Sequence, residues 1–307
     1  MVELHLPLRI AVVGLGPMGM HHVRAVTDLV ATKLVAVVDT RKDHAEEVAR
    51  QFNSAAFTDV SHVMGAVDAA IIATPPDVHA ATAVPLLNIG IPCLIEKPLA
   101  LNEADCKTIM AAAAKTKAIV AVGHVERFNP AAEALLAENI PSAEISHIDV
   151  KRFSPAGGRA VATDVVSDMT IHDLDVVLAL KDSDVVGVKA SGAPDTHATA
   201  HLTFADGTTA TIAADRKADT RVRALSLRTP RFEYMLDFMN RTVAKSASQS
   251  GAPQMLSVQS HDALRTEIAD FLSSVTTKQH PRVTPEHALK SLHVAWRILG
   301  AIKDGSA

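Results

Sequence analysis

Short, nearly continuous apolar runs alternate with helical patterns through the first 123 residues. Leu8 to Val13, Lys33 to Val38, Ala69 to Ala73, Ile91 to Ile95 and Ala118 to Val122 read as strands buried on both faces. Lys42 to Phe52 reads as a helix between two of them, and Asn102-Glu103-Ala104-Asp105 starts an Ala-rich helix with Asn102 placed to cap it. Five or six strands alternating with helices predict a doubly wound parallel α/β sheet over residues 1–123.

From Glu126 the pattern changes. Ser146 to Phe153 reads as a strand, Ser154 to Arg159 as a loop and Asp164 to Leu180 as a helix. Thr196 to Phe204 alternates His197, Thr199, His201 and Thr203 against Ala198, Ala200, Leu202 and Phe204, which is a half-buried strand. Asp206-Gly207 turns it into Thr209 to Ala213, and Arg221 to Leu227 and Phe232 to Phe238 add two more strands. Residues 124–307 are thus expected to form an α/β domain with an open-faced, mostly antiparallel sheet, its Thr- and His-rich face either solvated or an oligomer contact. Met239 to Ser260, rich in Ser, Gln, Gly and Pro, reads as a long loop. Two amphipathic helices close the chain, one with the stripe Leu264, Ile268, Phe271, Val275 and the other with Ala288, Leu292, Ala295, Leu299, Ile302.

The first strand runs into Gly14-Leu15-Gly16-Pro17-Met18-Gly19, a helix start follows, and Asp39 ends the second strand 20 residues after the last glycine. Gly14 allows the tight turn, Gly16 lets backbone approach a pyrophosphate, and Gly19 lets helix and strand pack closely. The helix N-terminus offers free N-H groups and positive dipole to phosphates. Asp39 would accept hydrogen bonds from a ribose 2'-hydroxyl and repel a 2'-phosphate, which favours NAD; Thr40 and Arg41 follow it, and Arg41 keeps NADP possible. Thr74-Pro75-Pro76-Asp77-Val78-His79 leaves the third apolar run at the sheet's carboxyl edge, where ligands bind, although a proline turn serving only the next helix fits equally.

A net charge of -4 gives no electrostatic reason to expect nucleic acid. No apolar run approaches the roughly 18 residues of a membrane span. The chain enters a strand by Leu8 without a basic, then apolar, leader. Cys93 and Cys106 stand in no metal or redox spacing and fit a reducing compartment, so a cytoplasmic protein is expected. His197 and His201 are four apart in a strand, about 13 Å from one another and too far to share a metal ion. No metal site is expected.

Four motifs stand in order along the chain: Gly14-x-Gly16-Pro17-Met18-Gly19; Glu96-Lys97-Pro98; Gly123-His124-Val125-Glu126-Arg127-Phe128-Asn129-Pro130; and Asp168-x-x-x-His172-Asp173-Leu174-Asp175. Together they resemble the Gfo/Idh/MocA oxidoreductases. The resemblance implies a Rossmann domain, a second α/β domain often used for oligomerisation, in a dimer or tetramer, and hydride transfer between NAD(P) and a sugar or polyol hydroxyl carbon. The third motif is similar to that of the nucleotide-sugar branch, whose members oxidise C3 of UDP-N-acetylglucosamine or its uronic acid.

Removing a hydroxyl proton as hydride leaves carbon requires a base within hydrogen-bond reach. His172 suits this, with Asp168 one turn earlier to orient it; from spacing alone the two are equally an exposed helix pair. Lys97, after a buried strand, could steady the developing alkoxide or join the proton relay, or be a surface lysine paired with Glu96. The family resemblance favours the catalytic roles for Lys97, Asp168 and His172, places Glu96 near the nicotinamide, and leaves open whether Lys or His is the primary base. His124 either contacts cofactor or caps its strand. Asn129 and Arg152 are candidates for substrate binding, Arg152 as a diphosphate cation, with Lys97, Asp168 and His172 beside the sugar. Asp173 and Asp175 turn away from His172 and are read as structural. Other readings are a dehydrogenase of a free sugar or inositol, a non-catalytic sensor on the same scaffold, and an HD-type phosphohydrolase, which leaves the first 123 residues unexplained.

Overall fold

The computed structural model describes residues 7–157, 163–248 and 251–305. In chain order it runs β1 (Leu8–Val13), α1 (Pro17–Asp28), β2 (Thr32–Val38), α2 (Lys42–Phe52), β3 (Ala55–Phe57), β4 (Ala69–Ile72), α3 (His79–Leu87), β5 (Cys93–Glu96), α4 (Glu103–Thr116) and β6 (Val120–Gly123). Then follow α5 (Pro130–Ala137), β7 (His147–Phe153), a π-helical segment (Val166–Thr170), α6 (Ile171–Leu180), β8 (Val185–Ala193), β9 (His197–Phe204) and β10 (Thr209–Asp215). The chain ends with β11 (Val222–Arg228), β12 (Phe232–Asp237), β13 (Thr242–Ala247), β14 (Gln254–Met255), α7 (Ala263–Thr277) and α8 (Pro285–Lys303).

Two compact units result: residues up to His124 with Leu264–Leu289, and Val125–Ala263 with the segment from Lys290 onward. The first holds a six-stranded sheet in the order β3-β2-β1-β4-β5-β6, with every pair parallel. Strands sandwiched by helices must be apolar on both faces, and β4, β5 and β6 are buried at every position. Strand order reverses between β1 and β4, so the loops after their carboxyl ends diverge and leave a crevice for a ligand.

The stripe of α7 lies in this unit's core. Ile268, Phe271, Leu272 and Val275 are buried beside Leu8, Ile10, Val23 and Val26, each contributing about 1.5–3 kcal/mol. The sequence reading assigns α7 to the second domain, because a helix stripe shows that it is covered without showing by what.

The second unit holds eight strands in the order β14-β13-β12-β11-β7-β10-β9-β8. β7 and β10 pair in parallel and the remaining pairs are antiparallel. One face, carrying Val150, Ala200, Leu202, Ile212, Leu225 and Leu236, is buried, and α5 and α6 pack on this sheet. His197, His201 and Thr203 point to the opposite face and are exposed.

Within Met239 to Ser260, expected as a loop, β13 and β14 extend the sheet; Gln249 and Ser250 lie outside the described residues. Only Val243 of β13 is fully buried, so its hydrophobic alternation is too weak to read. β8, exposed or half-exposed everywhere except Ala190, escapes the reading for the same reason, and β3 is only three residues long. The helix expected from Asp164 begins instead with a π segment and becomes α only at Ile171. Of the expected loop at Ser154 to Arg159, Gly158 and Arg159 lie outside the described residues. Among the described residues no helix is long and apolar enough to cross a membrane.

Candidate active site

The glycine turn after β1 tests the three assigned roles directly. Gly14 has φ 89°, and a Cβ there would stand 2.6 Å from the backbone of Ala73 and Thr74, so a side chain would drive apart the carboxyl ends of β1 and β4. A Cβ on Gly19 would stand 1.8 Å from the Gly14 carbonyl oxygen, so that glycine is what lets α1 sit on the turn. Gly16 is different, because a Cβ there meets nothing within 4 Å. No packing among the described residues requires that glycine, which fits backbone kept bare for something outside the chain. Gly16 is also the N-cap of α1 and offers no side-chain cap, while Pro17 opens the helix and Met18 is exposed. No acid occupies the first turn, so its dipole and N-H groups suit an anion. Thr74, after β4, carries a buried hydroxyl with no hydrogen-bond partner among the described residues, and Pro75 next to it is exposed.

Asp39 directly follows β2 and is tied to the same turn. Its Oδ2 accepts the Leu15 N-H at 3.0 Å, while Oδ1 accepts the Arg41 N-H at 2.9 Å and Arg41 Nε at 3.0 Å. Burial pushes the Asp39 carboxyl up, but these bonds outweigh it and hold the group below its ordinary range. The carboxylate is therefore ionised, as a ribose hydroxyl acceptor must be. Arg41 is largely exposed though paired with Asp39, and Thr40 beside it is exposed.

Lys97 follows β5, half-buried. Behind it Glu96 is buried, its Oε1 2.7 Å from His22 Nε2 and its Oε2 accepting the Lys97 backbone N-H at 3.2 Å. Burial pushes Glu96 up, but the bond and charge of His22, with Lys97 close by, hold its carboxyl below the usual range. Gly123 makes room, since a Cβ there would press on the Glu96 carboxylate at 3.1 Å. Glu267 of α7 joins the group, with one ligand-type atom from each of His22, Glu96 and Glu267 lying within 4.8 Å of the others.

His79, expected at the cofactor edge, is instead buried in the scaffold. Its Nε2 meets the Thr74 carbonyl oxygen at 2.9 Å and its Nδ1 the Pro98 carbonyl oxygen at 3.0 Å. The ring thus ties the loop after β4 to the loop after Lys97. His124, at the end of β6, is buried as well.

In the second unit Asp168 lies in the π segment and His172 in the first turn of α6, both partly exposed. Five-residue bonding in the π segment widens the turn, a distortion that recurs at functional sites. Asp168 Oδ2 faces Arg216 Nη2 at 3.6 Å, and Arg216 Nη1 donates to the Thr163 carbonyl at 3.0 Å. Arg216 directly follows β10.

Arg152 and Asn129, expected to meet substrate, are spent inside this unit. Arg152 is buried and grips Asp173 with Nε at 2.9 Å and Nη2 at 2.7 Å, while Nη1 reaches Glu126 at 3.0 Å. Burial opposes the charged guanidinium, yet the two carboxylates win and raise its pKa. Asn129 donates to Glu126 and to the Phe238 carbonyl, and its side-chain oxygen caps α5 by accepting the Ala131 N-H. Asp173 and Asp175 are structural as read, Asp175 pairing with Arg127 at 3.4 Å.

His22, Glu267 and Arg216 escape the sequence reading. His22 has a visible spacing, three residues past Gly19, but nothing local marks Glu267 or Arg216, which the fold brings in from elsewhere.

A model of the "Oxidoreductase family, NAD-binding Rossmann fold" matches residues 8–124. The chain is 30% identical over 281 residues to UDP-N-acetylglucosamine 3-dehydrogenase of Acidithiobacillus ferrooxidans, covering 87% of this chain and 88% of that one. It is 27% identical over 326 residues to scyllo-inositol 2-dehydrogenase (NAD(+)) of Bacillus subtilis, covering 97% and 95%. A solved structure of the A. ferrooxidans enzyme matches with a TM-score of 0.91 at 28% identity, over 99% of both chains. The chain belongs to the Gfo/Idh/MocA oxidoreductases, a family of NAD-dependent sugar and inositol dehydrogenases. The bare Gly16, the uncapped helix and the ionised Asp39 are the groups that would hold NAD.

Proposed function

We propose that this chain oxidises C3 of a UDP-N-acetylhexosamine, or of its uronic acid, with NAD as hydride acceptor. The observation that carries the reading is the match to UDP-N-acetylglucosamine 3-dehydrogenase over 87% of the chain. NAD, when bound, would supply the oxidised nicotinamide ring that takes up the hydride. Asp39 accepts from the ribose 2'-hydroxyl and disfavours NADP. At the sugar, the Lys97 ammonium donates to the hydroxyl oxygen and stabilises negative charge as it develops. His172 accepts the hydroxyl proton, and Asp168, itself steadied by Arg216, stabilises the imidazolium that results. Glu96 and His79 serve as scaffold behind Lys97. Because Arg152 and Asn129 are committed to internal bonds, substrate binding rests on Lys97, Asp168 and His172. The exposed Thr and His face of the second sheet suits self-association as a homo-oligomer, which sedimentation would report.

A second reading, a free inositol or sugar as substrate, is favoured by the match to the B. subtilis inositol enzyme over 97% of the chain. A panel separates the two. The purified protein with NAD is offered UDP-N-acetylglucosamine, its uronic acid, scyllo-inositol, myo-inositol and free hexoses, and NADH absorbance is followed. A rise with a UDP-sugar alone supports the first reading; a rise only with free polyols replaces it with the second.

A further inference from the structure

We propose that His22 is a positioning residue for the reaction, holding Glu96 so that Glu96 holds Lys97. The inference rests on the reading of Lys97 as a reaction-centre residue. His22 projects from α1, the helix that the glycine turn opens, and is fully buried. Its Nε2 lies 2.7 Å from Glu96 Oε1, and the other oxygen of that carboxylate accepts the Lys97 backbone N-H at 3.2 Å. Glu96 is therefore clamped at both oxygens, and Gly123 supplies the space that its carboxylate occupies. The helix N-terminus suited to the pyrophosphate and the strand end that carries Lys97 are thereby joined by two hydrogen bonds. A buried bond of this kind fixes a side chain better than any surface contact, because the alternative is an unsatisfied charge.

The same cluster has the composition of a cation site, since Glu267 brings a second carboxylate within 4.8 Å. Geometry decides between the two. Ligands about 2.0–2.2 Å from one metal ion stand roughly 3 Å or more apart, whereas Nε2 and Oε1 stand at 2.7 Å, which is a hydrogen bond. His22 Nδ1 has no hydrogen-bond partner among the described residues, so the imidazole's bonding is directed at Glu96.

The test uses the full chain with His22→Phe, which keeps the ring volume and removes the donor, and His22→Gln, which restores a donor at similar reach. Hydrogen exchange resolved at single amides is read first. In His22→Phe the Lys97 amide should exchange at least about tenfold faster, while Ile10 and Val12 keep their protection. In the same variant, kcat for NAD reduction with UDP-N-acetylglucosamine or scyllo-inositol, whichever the wild type accepts, should fall about 10- to 100-fold. The NAD dissociation constant should stay within about threefold, and His22→Gln should recover most of the rate. Should His22→Phe not fold, His22→Asn, whose shorter amide cannot span the contact, carries the same expectation. An unchanged Lys97 amide, or a uniform loss of protection that includes Ile10 and Val12, would overturn the inference. So would inactivation by chelator that zinc reverses, which would make the cluster a cation site. If Lys97→Ala keeps full activity, the reading of Lys97 fails instead, and the exchange result still stands as the measure of the linkage.

Discussion

In the second unit the buried guanidinium of Arg152 meets Asp173 and Glu126, and Arg127 meets Asp175, with Arg223 3.8 Å from Glu126. Three guanidinium groups face three carboxylates. In the first unit the buried imidazole of His22 meets Glu96 with Glu267 close by, and the chain continues from Glu96 into Lys97. The second-unit network ties β7 to the segment around Glu126 and to α6. In the first unit the same kind of buried bond ends on the backbone of Lys97. Each cluster adjoins a candidate catalytic residue, Lys97 after Glu96 and His172 before Asp173; the first reaches its residue by a hydrogen bond to the Lys97 N-H, whereas the second holds strand and helix together through buried charge.

Substitutions can break that comparison. Lys97→Ala should cut turnover by about 10²–10⁴ while the thermal transition stays in place, and His172→Ala should behave similarly; wild-type turnover in either variant would remove that residue from the chemistry. Arg152→Leu should do the reverse, costing about 3–5 kcal/mol of stability by stranding two buried carboxylates. The lone tryptophan, Trp296, lies in the second unit and both cysteines lie in the first, so urea unfolding followed by fluorescence and by thiol reactivity locates the damage. Burial holds Cys93 unreactive and pushes Cys106 up to about 11, so thiols report only on opening of the first unit. A loss seen equally by both probes would dissolve the distinction.

Smaller effects sharpen it. Asp39→Ala should weaken NAD about tenfold, the worth of a charge-assisted bond, and narrow its preference over NADP; an unaltered NAD to NADP ratio of affinities would contradict the role given to Asp39. The smallest effect is on pH. Glu96 titrates below the ordinary carboxylate range in the folded chain, so its contribution is complete above about pH 4.3 and is lost as pH falls through the depressed value. Glu96→Gln should therefore flatten the acid limb of first-unit stability in thiol-monitored urea titrations, and an unchanged limb would show that Glu96 is not held as described.

Much of the first unit was legible in the sequence because its strands are buried on both faces and Gly14 and Gly19 answer local steric demands. β1, α2 and the Asn102 cap fall at their expected places. The edges were not legible. β8 and β13 bury one residue each among exposed neighbours, so periodicity had nothing to report. Motif residues marked where chemistry is concentrated without telling which face each side chain takes. Arg152 and Asn129 looked like substrate ligands because they are polar and lie in or near the motifs, yet both are turned inward to Glu126. His79 likewise sits at the ligand edge of the sheet with both ring nitrogens facing backbone carbonyls. Arg216 reaches Asp168 from another strand's end, which no linear pattern encodes.

Deuterium transfer from the sugar carbon to the cofactor reports the proposed hydride transfer itself. UDP-N-acetylglucosamine deuterated at C3 is incubated with the enzyme and NAD, the protein is denatured, and the released cofactor is analysed by mass spectrometry. Denaturation registers transfer even where reduced cofactor stays bound. Deuterium at C4 of the nicotinamide is the predicted result. Reduced cofactor without deuterium would place the hydride at another carbon, and unlabelled, fully oxidised cofactor would contradict the proposed reaction.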